Sequence, residues 1–404
     1  NNILYFLQGS NSAGGAPDGA WGFRPERLLS GAVLALDLTK LNGLNLPLDV
    51  KTTDNLSLIN NAPSNAITMS DNTYNPYATN SPLTLYATGI RNAYDLVWHS
   101  NGQLYVPTNG TAGGSLSPAS VSGTRRPDGT VYDYSNPNFP PIPAVGPNET
   151  QKDWLFRIDP ALGIGYYGHP NPLRGEFVMN RGKQDVSGYP AGTGADPNYR
   201  GVAFDFEFNK SPNGVIEYKS NAHNGNLRGA LLVVRYSNGD DIVALVPDGN
   251  SGDINTFKIG IPGMTGFNNP LDLIEDPTTG NIYVAEVDVI NPSNSKITIL
   301  RPVVGPDNSQ KLTALTEEIV TEDIVDGNPG EIFDVEVRND GSQVIGILNA
   351  NVIGVDNAAF QLVNTSVSNI NPGAVATFQI RFNAAKTGPQ SASLVIQDVS
   401  GINT

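Results

Sequence analysis

The sequence predicts an all-β chain, a β-propeller followed by an immunoglobulin-like β-sandwich. Three observations carry that expectation. The first is a repeated unit. Residues 86–110 (YATGIRNAYDLVWHSNGQLYVPTNG) read as a short loop, an apolar strand at 94–98, a turn at 99–102 and a second strand at 103–106. The pattern recurs at 269–288 (NPLDLIEDPTTGNIYVAEVD), more loosely at 201–220 (GVAFDFEFNKSPNGVIEYKS), and in part at 1–9 (NNILYFLQG). Repeated strand units that bury their faces against their neighbours mark a propeller. The second is composition: 43 Gly, 30 Pro and only 16% charged residues suit many short strands and polar turns better than long helices. The third is a change of texture near Lys311, where aromatics thin out and the strands lengthen.

Taken in order, residues 3–7 predict a strand, 10–27 a Gly/Ala/Pro-rich loop and 32–38 (AVLALDL) a strand. Residues 42–82 form a long polar excursion of the kind that covers a face or carries function. After the repeated unit, 111–149 is a second excursion, containing Arg125-Arg126, and 153–158 (DWLFRI) resumes strand. Residues 165–172 form a Gly-punctuated turn and 181–197 a loop. Strands at 202–208, 215–218, 230–236 and 242–246 then read as one complete blade, and 271–274, 282–286 and 296–300 as most of another. Residues 302–310 read as a linker. Strands at 331–339, 343–352, 360–363, 374–382 and 391–397 make a sandwich of immunoglobulin size. The domains are therefore expected at 1–305 and 311–404. The chain opens inside a strand and without Met, which predicts that a six-bladed ring is completed by blades preceding Asn1 or by another chain.

A net charge of −15 repels duplex DNA and anionic membranes, so neither is expected as a partner. The chain has no cysteine, which excludes disulfides and thiolate metal sites. No run approaches the roughly 20 apolar residues of a membrane span.

The first 302 residues resemble the glucose/sorbosone dehydrogenase family, six-bladed propellers that carry pyrroloquinoline quinone (PQQ). The marks are Gly89-Ile-Arg-Asn92, Asp153 followed by Gly165-Tyr-Tyr-Gly-His-Pro170, and Gly214-Val-Ile-Glu-Tyr218 with Leu231-Leu-Val-Val234. The resemblance implies that Arg91 and Asn92 contact the quinone. It also implies that Arg235 replaces a family lysine that falls on Ser237, and that Gly146 and Pro147 offer backbone oxygens to a calcium ion. Two family arginines fall on Asn269 and Leu271, and leucine cannot pair a cofactor carboxylate. The family's general base lies upstream of Asn1. The C-terminal part resembles immunoglobulin-like domains of the abnormal-spindle/Hydin type, through Val337-Arg-Asn-Asp-Gly341, Asn357-Ala-Ala-Phe360, Asn371-Pro-Gly373, Phe378-Gln-Ile-Arg-Phe382 and Gly388 before Ser391-Ala-Ser-Leu394.

Other residues read as structural. His99 belongs to a solvated turn, His169 packs beside Tyr166 and Tyr167, His223 lies in a polar loop, and the three are too scattered for zinc. Trp21, Trp98 and Trp154 read as inter-blade core. Asp37, Asp95, Asp205 and Asp272 recur at equivalent positions, as blade hydrogen bonding requires. Two function classes stay open. One is an extracellular or cell-surface propeller module (periplasmic as second choice) without a full cofactor site, whose partners are carbohydrate, other protein subunits or copies of itself. The other is a PQQ- and calcium-dependent dehydrogenase of aldose sugars.

Overall fold

The computed structural model describes residues 2–222, 225–249, 251–302, 312–316, 319, 330–340, 343–364, 367–383 and 387–398. His223, the expected linker 303–310 and Gly341 lie outside them. The chain divides into two compact units, Asn1–Pro302 and Val303–Thr404. Among the described residues both are all-β, and the first carries one short α-helix, Leu56–Asn60.

In chain order the strands of the first unit are β1 (Ile3–Gln8), β2 (Ala32–Asp37), β3 (Leu83–Thr88), β4 (Asn92–Ala93), β5 (Val97–Trp98), β6 (Leu104–Asn109), β7 (Thr124–Arg125), β8 (Val131–Tyr132) and β9 (Asp153–Ile158). They continue with β10 (Phe204–Glu207), β11 (Pro212–Glu217), β12 (Leu231–Arg235), β13 (Asp241–Pro247), β14 (Ile254–Lys258), β15 (Pro270–Asp276), β16 (Asn281–Glu286) and β17 (Lys296–Leu300). Among the described residues they form four main antiparallel sheets: β1-β2-β3; β10-β9-β6-β4 with β5 also on β6; β11-β12-β13-β14; and β15-β16-β17. β7 and β8 pair as a separate hairpin.

The expected hairpin is present, with Val97 opposite Tyr105 and Trp98 opposite Leu104. The apolar run 94–98 is not continuous strand, because Asp95 turns its carboxylate onto the amides of Leu96 and Val215 and breaks the ladder there. Residues 83–88, which carry no expected element at 83–85 and an expected loop at 86–88, form the third strand of the first sheet, with Leu85 opposite Leu34. The proposed blade at 202–246 is divided between two sheets. β10 is the outer edge of the second sheet, paired with β9, and the fourth strand of the third sheet is β14. The reason is local. β10 bulges between Asp205 and Glu207, and Glu207, Asn209 and Ser211 all take positive φ, so the chain crosses to the next sheet instead of folding back as a hairpin.

Alternation then dictates packing. The first and second sheets share a core of Val33, Ala87, Val106, Phe156 and Trp154, with Tyr5, Tyr86 and Trp98 stacked beside it. The second and third share Tyr105, Leu155, Phe206, Val215 and Val233. The third and fourth share Leu232, Val234, Leu273, Ile282 and Val284. The other face of the first sheet is covered by the chain's own excursion, through Leu48, Val50, Tyr74 and Tyr77. Trp98 and Trp154 thus sit in the core as expected. Trp21 does not: it is 38% exposed.

The excursions are held by buried ion pairs. Arg126 grips Asp196 through two bonds of 3.0 and 2.7 Å. Arg174 pairs with Glu176 at 2.8 Å and donates to the carbonyls of Leu28 and Ser30. The Arg174 guanidinium is met by Glu176 and by backbone carbonyls, as a buried pair requires, whereas Arg126 Nε has no hydrogen-bond partner and lies 4.0 Å from Asp128.

The second unit comprises β18 (Leu312–Ala314), β19 (Ile332–Asn339), β20 (Ile345–Ile353), β21 (Phe360–Leu362), β22 (Asn369–Ile370), β23 (Val375–Phe382) and β24 (Ser393–Asp398). They form sheets β18-β19-β23-β21 and β22-β20-β24 around Val337, Ile370, Phe378 and Ile396.

One carboxylate ties the second sheet to the third. Buried Asp153 accepts from the amides of Gly110 (3.0 Å), Lys210 (2.7 Å) and Ser211 (2.9 Å). Burial raises this carboxyl above its ordinary range even though the three amides pull it down. Asp153→Ala leaves three donors facing a void and should cost about 2–4 kcal/mol of stability. Urea unfolding followed by tryptophan fluorescence measures it, and a loss under about 0.5 kcal/mol would contradict this role.

Candidate functional site

One end of the stacked sheets brings together Arg91, Asn92 and Arg235 of the residues singled out by sequence. The start of β4, the end of β6, the start of β9 and the end of β10 meet at one end of the second sheet, since Asn92 lies opposite Asn109 and Glu207 opposite Asp153. A chain of hydrogen bonds continues to the third sheet. Arg91 Nη1 donates to Gly110 O (2.6 Å), Gly110 and Ser211 donate to Asp153, and Tyr236 N donates to Ser211 O (3.0 Å). Arg91 and Arg235 therefore belong to one rim.

Gly89 makes the turn that presents Arg91. Its φ is +76°, and a Cβ there would lie 2.5 Å from the Tyr166 ring, so only glycine fits. Arg91 is buried, its guanidinium lies 5.2 Å from the Trp21 ring centroid, and its Nε has no partner. Burial lowers its pKa, against the pull of Asp153, Asp18 and Glu26. Asn92 is exposed and its amide donates to Thr108 Oγ1 at 3.3 Å. Arg235 is buried and forms a bidentate pair with Asp241, at 2.7 and 2.6 Å. Gly146 and Pro147 lie on the surface, in a turn whose next residue, Asn148, is anchored to the Ser115 carbonyl and to the hydroxyls of Ser115 and Ser117. Among the described residues no three His, Asp or Glu side chains are placed to share a metal ion.

The histidines are less peripheral than expected. His99 is not solvated. Its Nε2 lies 2.9 Å from Gly229 O and 3.6 Å from Glu217, so it bridges the second and third sheets. His169 is buried, and its Nε2 meets Glu26 Oε1 at 3.1 Å.

Beside this rim lies a cleft that sequence reasoning missed. It has a volume of about 440 Å³, and its lining includes Gln151, Lys152, Trp154, Arg181, Asp205 and Phe208. Lys152 Nζ reaches Asp205 (2.8 Å) and Glu207 (2.9 Å), and lies 5.8 Å from the Phe208 ring centroid. Those hydrogen bonds raise the Lys152 pKa. Phe208 is 48% exposed. Arg181 Nη1 binds Glu149 (2.8 Å) and Ser187 (3.1 Å). A second cleft of about 430 Å³ adjoins it through Lys183, Val202 and Asp205, and is lined by Phe204, Phe257, Ile254 and Ile259. The available sequence signal was the run FDFEF at 204–208, whose third phenylalanine continues the alternation past the end of the strand.

Neither a protein-family profile nor a curated protein matches this chain. Solved structures show a loose likeness. A glucose dehydrogenase crystal structure aligns at 13% identity and TM-score 0.37, covering 70% of this chain and 57% of that one. The PQQ-bound form of aldose sugar dehydrogenase from Streptomyces coelicolor aligns at 12% and 0.38, over 74% and 58%. The holo form of the pyranose dehydrogenase PQQ domain from Coprinopsis cinerea aligns at 11% and 0.38, over 74% and 67%. This chain spans less than two thirds of the length of the first of these. Likeness at this level carries no chemistry across. No helix among the described residues is long and apolar enough to cross a membrane.

Glu26 sets a pH dependence. Burial alone would raise its carboxyl. The hydrogen bond and charge of His169, with the hydroxyls of Ser12 and Ser30, outweigh burial and hold it at about 2 against an ordinary 4.5. A carboxyl lowered by folding stabilises fully above its unfolded value, and that stabilisation is lost as pH falls toward its folded value. Melting temperature should therefore drop between about pH 4.5 and 2. Glu26→Gln should melt lower at neutral pH and show a shallower slope across that window. An unchanged slope in thermal scans would rule out this pair as its source.

Proposed function

We propose that this chain is a non-catalytic, carbohydrate-binding propeller module whose site is the cleft at the β9–β10 rim. We read the four sheets as successive blades of a six-bladed propeller, and the second unit as an immunoglobulin-like spacer in an extracellular or cell-surface assembly. The observation that carries the binding reading is the cleft's composition. Exposed Phe208 offers a flat apolar face for the C–H side of a sugar ring. Gln151, Lys152, Arg181 and Asp205 surround it with donors and acceptors for hydroxyls. The adjoining aromatic cleft extends the surface for more than one sugar unit.

Binding is preferred over oxidation because of where the rim's cations are spent. A quinone bearing carboxylates needs free arginines. Arg235 already holds Asp241 with two bonds, and Arg91 donates to a carbonyl with the carboxylates of Asp153, Asp18 and Glu26 nearby. Those residues fit such a cofactor poorly.

The test is a glycan array followed by calorimetry on the full chain. A bound oligosaccharide is expected, and Phe208→Ala should weaken it about tenfold, near 1.4 kcal/mol, with an unchanged melting temperature. No glycan bound, or binding indifferent to Phe208, would refute the assignment. So would dye reduction with aldoses on adding PQQ and calcium.

A further inference from the structure

The first sheet sends one loop over the rim. Residues 9–31 join β1 to β2 and lean across the start of the second sheet. Ser10 N donates to Arg91 O (2.8 Å), Thr111 donates its hydroxyl to Ala13 O, and Ala16 N donates to Leu116 O (3.1 Å). Glu26 closes the base of the loop by accepting the amides of Asn11 (3.2 Å) and Ser12 (2.9 Å). The loop therefore lies over the junction of the first two sheets and is tied to both.

Its tip is built around buried Asp18. The Asp18 carboxylate accepts the amides of Ala13 and Trp21, both at 3.1 Å, and its carbonyl accepts from Phe23 N at 2.8 Å. These bonds hold Gly19–Trp21 as one 3-10 turn, and keep Gly22 and Phe23 at positive φ, +66° and +54°. Glycine takes that conformation freely and phenylalanine does not. Burial does not account for the phenylalanine. Phe23 is 72% exposed, the most of any aromatic side chain among the described residues. Backbone strain held for a side chain that enters no core marks a presented group. Trp21 stands beside it. The Arg91 guanidinium backs the indole, 5.2 Å from its centroid, and leaves the ring 38% exposed.

The tip is continuous with the rim cleft. Thr111, whose hydroxyl holds Ala13, also exchanges bonds with Gln151: Gln151 N donates to Thr111 O (2.9 Å), and Thr111 N donates to Gln151 Oε1 (3.2 Å). Gln151 lines the cleft. Two aromatic stations joined by a polar wall suit a chain of sugar rings better than one ring. A lipid surface would require more apolar area than two rings, and a net charge of −15 opposes an anionic one.

We propose that residues 18–24 form a second aromatic subsite, in which Trp21 and Phe23 stack on the far rings of an oligosaccharide whose near end lies on Phe208. This inference rests on the carbohydrate reading of the cleft and adds chain length to it: the ligand is an extended oligosaccharide.

The test is calorimetry on the full chain with gluco-, xylo-, manno- and galacto-oligosaccharides, each from disaccharide to hexasaccharide. Affinity should climb with length. Trp21→Ala should weaken the longest binder about tenfold and leave the shortest unchanged, so that the length dependence flattens. Phe23→Gly should weaken the longest binder about threefold. Its melting temperature should hold or rise, because glycine relieves the positive φ. Phe208→Ala should weaken short and long ligands alike. If Phe208→Ala weakens binding while Trp21→Ala and Phe23→Gly do nothing, the subsite is overturned and the cleft reading stands. A chain that binds none of these glycans removes both. A melting temperature lowered by Phe23→Gly would show that Phe23 is held for packing and would also overturn the subsite.

Discussion

A sheet built from alternating residues has two faces, and water must be kept from the apolar parts of both. Much of the first unit follows from that constraint. The second and third sheets solve it with each other and with their neighbours, through the cores around Val106, Val233 and Val234. The first sheet has a neighbour on one side only. Its second face is closed by Leu29 and by the excursion that follows β2, which brings Leu48, Val50, Tyr74 and Tyr77 onto Leu34 and Leu85. The polar excursion is long because it must travel out, cover that face and return to β3. It is a lining of the fold more than a loop held ready for function.

Polar groups carry the junctions between sheets, and they do so by a recurring device. A carboxylate on one sheet accepts backbone amides of the next: Asp95 onto Val215, Asp153 onto Lys210 and Ser211, Glu217 onto Ser100, and Glu275 onto Lys219 and Ser220. Each amide so paired would otherwise be an unsatisfied donor at a strand end. The same economy governs the cations. Arg126, Arg174 and Arg235 are all buried against carboxylates of this chain. Charge that might have faced a ligand is used to fix loops. Side chains that reach solvent lie farther out, where β10 ends: Phe208, and Lys152 in its exposed pair with Asp205 and Glu207.

Sequence made the hairpins legible, because the Asn-Gly and Thr-Gly turns at 101–102 and 279–280 lie between alternating runs. It misplaced β10 because FDFEF and GVIEY, read alone, look like partners across a short turn. Only the bulge at Asp205–Glu207 and the positive φ of Glu207, Asn209 and Ser211 send them to different sheets, and no local propensity announces that. β14 was missed for a related reason. Ile254–Lys258 is an edge strand, largely exposed, with only Ile254 and Phe257 as apolar marks. The recurrent aspartates were legible as a class, yet their partners were not. Asp95 bridges two sheets, whereas Asp37 caps Thr39 and Asp205 pairs with Lys152. Position in a repeat fixes where a side chain starts, and the neighbouring sheet fixes what it reaches.

That distinction also explains the location of the cleft. An edge strand in the middle of a stack would be a liability, since its unpaired groups invite another strand. β10 avoids this by being short and bulged, and by carrying Asp205 and Glu207 paired to Lys152. The bulge that spoils the edge as a template for pairing also turns Phe208 outward and opens the space beside Trp154. Gly182 completes that wall. Its φ is +91°, and a Cβ there would come within 3.1 Å of the Trp154 ring, so a larger residue would push the loop away and change the cleft. The candidate binding surface is thus a by-product of how the second sheet ends. Its shape depends on backbone features at three positions, Glu207, Asn209 and Gly182, more than on the side chains that line it.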